Sequence, residues 1–311
     1  MNAAERKAYR SLRDVPHGKF EEAGREALRR AVEAHFKRQA DARAERKSRL
    51  DPAFEAMRAA ALKSPETKLL RGPISKATKL PKRYKHPHLP ASSLKSPLVR
   101  LGSIHVVDVP PFQTVTGFNQ NGEVSMIGLN ANSNGSMNFY LMAGTSAGGE
   151  WGAGTADCWA AVGQAYAFPS PEGPLVDASH LKGILTFSVN PSVNWMAQWV
   201  STFWRQAAGN IWIGQVVNQF EMDGTFVGTP VSTQQSLESF DDYNLCDTGS
   251  QMGASSGVQL TCSLPVEDGM FYECWATIAG SATGDFSDEQ SWAVVSIQAT
   301  ANPLIIDFQY G

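Results

Sequence analysis

IWIGQVVNQFEMDGTFVG, residues 211–228, decides how the chain is read. β-Branched and aromatic residues run up to Met222, an Asp223-Gly224 pair follows, and TFVG resumes the pattern. Asp-Gly between two such runs is a strong hairpin signal, because both residues tolerate the positive φ that a tight primed turn requires. Glu267-Asp268-Gly269, between GVQLTCSL (257–264) and MFYECWATIAG (270–280), predicts a second hairpin on the same grounds.

On either side, SIHVVDV (103–109), EVSMIGLNA (123–131), SMNFYLMA (136–143), CWAAVGQAYAF (158–168), GILTFSVN (183–190), SWAVVSIQAT (291–300) and LIIDFQY (304–310) also read as strands. WMAQWVSTFW (195–204) is ambiguous, since Trp195, Trp199 and Phe203 are spaced as on a helix face. With Ala197 and Ser201 they equally form one face of a strand, and the adjacent IWIGQVV run favours that reading. Strand after strand with turn clusters between them predicts a mainly β domain over residues 101–311, an antiparallel two-sheet β-sandwich of jelly-roll-like or Greek-key type.

The first 100 residues differ in kind. From Lys19 to about Leu50, Phe20, Leu28, Val32 and Phe36 form a narrow apolar stripe, with Glu26/Arg30 and Glu45/Arg49 at a spacing that supports an exposed helix. Asp51-Pro52 reads as an N-cap with proline at the first position of a second helix, carrying Phe54, Met57 and Leu62 and ending at Ser64-Pro65. Prolines at 65, 73, 81, 87, 90 and 97 then predict an extended linker. The expected organisation is a helical charged arm (1–63), a basic Pro-rich linker (64–100) and an acidic β-sandwich (101–311).

Charge divides along the same line. Of 27 Lys and Arg, 25 lie in residues 1–100 with 11 of the 30 acidic groups, a net of +14; residues 101–311 carry −17 and only Lys182 and Arg205 as cations. LLRGPISKATKLPKRYKHPHLPASSLKSPLVR (69–100) holds ten basic residues, two of them histidines, and no acid. Lys76, Lys79, Lys82, Arg83 and Lys85 could neutralise phosphates while Tyr84 stacks on a base. The same charges are complementary to the acidic body, which predicts inter-subunit contact and a homo-oligomer as the rival use. The linker has too few large apolar residues for a membrane surface.

The N-terminal MNAAERKAYRSLRD has no apolar core of a signal peptide, and no run approaches a membrane span, so the expected location is cytoplasmic, or outside the cell by release without a signal peptide. Cys158, Cys246, Cys262 and Cys274 show no zinc spacing and are expected as buried thiols, with a Cys262–Cys274 bridge across the second hairpin as the alternative.

Motifs for chemistry are few. Gly144-Thr145-Ser146-Ala147-Gly148 matches the nucleophile elbow, but a glycine-rich run follows where that elbow needs a helix. Asp247-Thr248-Gly249-Ser250 matches one half of an aspartic protease dyad without the second half, and Asp241, Asp242 and Asp247 read as a polar loop. His86-Pro87-His88 has no third ligand nearby. No resident cofactor is expected. Asp285, Asp288 and Glu289 set three carboxylates in five residues, a pattern that could take calcium. Among eight tryptophans, Trp151 and Trp204 lie in loop-like context and suit stacking on a sugar ring.

These residues point to a non-catalytic binding or assembly protein, its sandwich recognising a partner surface or glycan and its arm serving oligomerisation or docking. A basic arm before an acidic sandwich resembles the coat proteins of small viruses, which implies the alternative of an arm that binds DNA or RNA. An exported effector with the arm as loading signal is the further alternative.

Overall fold

The computed structural model describes residues 17–64, 103–144, 152–167, 183–221, 223–255, 258–266, 270–285 and 291–310. Among the described residues one helix, α1 (His17–Lys63), precedes fourteen strands. These are β1 (Ser103–Asp108), β2 (Gln113–Gly122), β3 (Val124–Ala131), β4 (Ser136–Ala143), β5 (Gly154–Ala167), β6 (Gly183–Val189) and β7 (Ser192–Thr202). They continue as β8 (Ala207–Glu221), β9 (Phe226–Asp242), β10 (Cys246–Ser255), β11 (Leu260–Val266), β12 (Met270–Gly284), β13 (Trp292–Thr300) and β14 (Leu304–Tyr310).

Three antiparallel sheets form, in the orders β2-β5-β12-β8-β9, β10-β7-β13-β4-β3 and β1-β14-β6-β11. The last two are one layer bent along a line. β6 passes into β7 through Asn190-Pro191, and β13 into β14 through Asn302-Pro303, so the two strands stay neighbours on both sides of the bend. β10 and β11 follow the same course beside them. A proline cannot donate to the ladder, so each Asn-Pro pair interrupts pairing where the sheet creases. With each bent strand counted once, the eight from β4 onward run 1-8-3-6 in one layer and 2-7-4-5 in the other, the jelly-roll order of two Greek keys. The expected sandwich is therefore present, its second layer divided by the crease into two sheets.

The layers bury Phe139, Leu141, Ile213, Val217, Ile278, Val295 and Ile297 between them, joined below the crease by Phe187, Leu264 and Phe308. Register is reinforced by aromatics lying over a glycine directly opposite. Trp159 covers Gly117, Trp275 covers Gly163, Trp199 covers Gly249 and Trp195 covers Gly253, and a Cβ on any of these glycines would enter the indole.

The helix lies on the outer face of the β2–β9 sheet. Leu28, Val32 and Phe36 pack against Trp159, Trp212, Val216, Trp275 and Ala279, so the narrow stripe is met by large flat partners. Gly24 lies against the Glu273 carboxylate, where a side chain would not fit. The two expected helices are one, with Pro52 inside it. The missing amide costs a helix roughly 3 kcal/mol, but contacts fasten the helix to the sandwich on both sides of the proline. Arg46 and Lys47 pair with Asp241 and Asp285 before it; Phe54 stacks on Tyr243 and Glu55 meets Arg205 after it.

Two further expectations fail. Strands β11 and β12, flanking the second Asp-Gly, lie in different sheets, so that pair does not make a hairpin, whereas β8 and β9 around Asp223-Gly224 do. Asp241, Asp242 and Asp247 are strand residues, because β9 and β10 extend through polar sequence that lacks apolar alternation. All four cysteines are free thiols, and Cys246 is exposed. The Pro-rich linker lies outside the described residues.

Candidate functional site

The jelly-roll order gathers four connections at one end of the molecule: β4 to β5, β7 to β8, β9 to β10 and β12 to β13. Register fixes this, since Gly154, Gly284, Ala207 and Asp242 are successive neighbours across one sheet, and Cys246 opposes Thr202 in the other. Six of the residues singled out from sequence fall on these connections. Trp204 is in the second and Asp285 begins the fourth. Trp151, Ser146, Asp288 and Glu289 belong to the first and fourth but lie outside the described residues. Lys76, Lys79, Lys82, Arg83, Tyr84, Lys85, His86 and His88 also lie outside them.

The turn at Trp204 breaks a local rule. Arg205 N donates to Thr202 O at 2.9 Å, closing a four-residue turn whose central residues, Phe203 and Trp204, have φ of 48° and 58°. This is a type I′ turn, where Asn-Gly is favoured and an aromatic residue is strained by about 1–2 kcal/mol. The β9–β10 connection holds it: Phe203 N donates to Leu245 O and Trp204 N to Asn244 O. Phe203 is fully buried as the anchor, while Trp204 is half-buried at the rim.

A polar frame surrounds the turn. Ser201 Oγ donates to Asp242 and accepts from Asn244 N, and the Asn244 amide donates to Asp247 at 3.1 Å. Gln206 Nε2 donates to Asp241, which also pairs with Arg46 at 2.9 Å. Asp285 receives Lys47 at 3.5 Å and Arg205 at 3.8 Å. Its carboxylate is thus engaged by two cations, and among the described residues no cluster of three or more acidic, His or Cys side chains could hold a metal. Asp247, of the Asp-Thr-Gly match, sits in β10 with its oxygens bonded to Asn244 and the Thr248 amide. Burial, with Asp241 nearby, pushes the Tyr243 phenol well above its usual range.

A second feature had no sequence signal. Between α1 and edge strand β2 runs a groove of about 1480 Å³, lined by Phe36, Val115, Phe118, Trp159, Asp157 and the Arg25–Lys37 face of the helix. Burial pushes the Asp157 carboxyl up to about 6, with the Arg43 guanidinium pulling the other way. Arg43 itself is turned to Ser281 and Thr283. Asp157 is missed in sequence because it occupies an ordinary alternating position of β5 and is only half-buried, in the groove that the helix forms with β2.

No family model matches the chain, and no curated protein matches it. Two solved structures align with it. The isomalto-dextranase of Arthrobacter globiformis T6 complexed with panose is 10% identical, over 64% of this chain and 35% of that one, with a TM-score of 0.13. TmCBM61 in complex with β-1,4-galactotriose is 8% identical, over 60% of this chain and 88% of that one, with a TM-score of 0.11. The chain spans about a third of the isomalto-dextranase structure. The fold assignment rests on the strand order alone. No helix among the described residues is long and apolar enough to cross a membrane.

Proposed function

We propose that this is a non-catalytic binding protein that recognises a glycan at the four-connection end of its jelly roll, with Trp204 as the stacking platform. The supporting observation is the Phe203–Trp204 turn. Strain retained at a half-exposed aromatic, with a buried anchor beside it, is how a binding residue is held in place. An indole face takes a sugar ring, and the Asn244 amide with the Asp242 and Asp247 carboxylates supplies hydrogen-bonding groups for hydroxyls at the same rim. The helix acts as a brace: its residues 46–55 grip this end through Asp241, Asp285, Arg205 and Tyr243.

A glycan array probed with the labelled full-length protein, in parallel with Trp204→Ala, tests the proposal. Signal on a defined group of glycans that disappears in the variant is the expected result. Absence of signal on every glycan, or equal signal from the variant, would overturn it.

A further inference from the structure

Among the described residues six strands lie at sheet edges, and five of them carry a feature that hinders the addition of another strand. β9 slips register three times against β8 and contains the exposed Pro230. β3 is bulged between Ile127 and Asn130, and β11 contains Pro265. β1 is six residues long and ends in the buried Asp108, and β10 carries the exposed Asp247. β2, QTVTGFNQNG, has none of these. It runs ten residues without a charge or a proline, in unbroken register with β5.

The free side of β2 is also uncovered. Helix α1 packs on β5, β12 and β8 through Trp159, Trp275 and Trp212 and stops short of the edge, which leaves the groove between helix and strand. Thr116 and every residue from Phe118 to Gly122 are exposed, Phe118 at 39%. Among the described elements β2 pairs with β5 alone. Alternate residues of an edge strand direct their amides and carbonyls away from the sheet, so this side is a template for one more strand.

The missing charge selects the occupant. About a two-fold axis, residues near the centre of a self-paired strand meet their own kind, and a charged edge repels itself. The sandwich over residues 101–311 carries a net −17, so two copies approach with least repulsion along an uncharged strip. β2 supplies that strip. Thr114, Thr116 and Phe118, at alternate positions on one face of it, are the β-branched and aromatic types that pair well across strands.

We propose that two copies of this chain join β2 to β2, antiparallel about a two-fold axis, so that their two five-stranded sheets become one continuous sheet. Gly122, opposite Gly154, marks the four-connection end of β2. Antiparallel pairing therefore points the four-connection ends of the two copies in opposite directions.

Sedimentation equilibrium of the full-length protein from micromolar to millimolar concentration, in about 0.5 M salt to screen contacts made by charge, reads the association. The mass must rise from one chain to two. Thr116→Lys with Asn119→Lys, which puts one charge on each face of the exposed edge, must weaken dimerisation at least tenfold. Thr233→Lys with Ser236→Lys, at exposed positions of β9, must leave it unchanged. A single-chain mass throughout overturns the proposal and leaves the edge to an extended segment of another protein; equal weakening by both pairs of substitutions, or by neither, also overturns it. Hydrogen exchange on the unaltered protein gives a second reading, should the lysine variants not fold. Amides on the free side of β2 must slow as concentration rises while those of β9 do not, and dimerisation without that protection overturns the pairing.

Discussion

Phe203 and Trp204 adopt a conformation that costs a non-glycine residue about 1–2 kcal/mol, and the Leu245 and Asn244 carbonyls fix it. Trp204→Gly removes the strain at the position where a type I′ turn prefers glycine, and the half-buried indole gives up little burial. Urea unfolding should therefore show stability unchanged or raised by up to about 1 kcal/mol; a loss above that would mean the indole serves the fold. Asp157 carries the main pH effect. Its folded value of about 6 lies above the ordinary 3.8, so the folded state binds the extra proton. The stabilisation is present in full below about pH 4 and is lost as pH rises through 6, by roughly 1–3 kcal/mol. Asp157→Asn should flatten the urea midpoint across that window, and an unchanged slope would place the titration elsewhere. His35, on the sheet-facing side of the helix and edge-on to Trp212 at 4.7 Å, is shifted the opposite way by burial and Arg38. This interface disfavours charge of either sign.

At the scale of elements, α1 shows what could be read beforehand. Its stripe of Leu28, Val32 and Phe36 is visible as periodicity, and the structure places those residues on three tryptophans. Its length was not legible, because Asp51-Pro52 is a good helix start in isolation and only tertiary contacts on both sides carry the helix through it. Leu28→Ala should cost about 2–5 kcal/mol by urea denaturation, while Met57→Ala, on a residue 47% exposed, should cost almost nothing; equal losses would contradict the docking. Strand β2, β9 beyond Gly228, and β10 escaped a pattern search since they are rich in Ser, Thr, Asn, Gln and Gly. The Asp-Gly pair at 268–269 misled for a different reason: turn chemistry sets a local reversal, and the sheet each flanking strand joins is decided by the jelly-roll closure.

For the whole molecule, the sandwich class could be read from composition and strand pattern, whereas the convergence of four connections could not. That convergence needs the strand order, which no local pattern contains. The charge division now has a concrete part: Arg46, Lys47 and Glu55 of the arm engage Asp241, Asp285 and Arg205 of the same chain. The cation of the body that lies within the described residues is thereby held at the rim beside Trp204. Under the proposed function, the strain at this rim is retained for binding. The direct measurement is calorimetric titration of the best array glycan into the full-length protein and into Trp204→Gly. An affinity reduced at least tenfold in a variant of undiminished stability is the predicted result; an unchanged affinity would contradict the account.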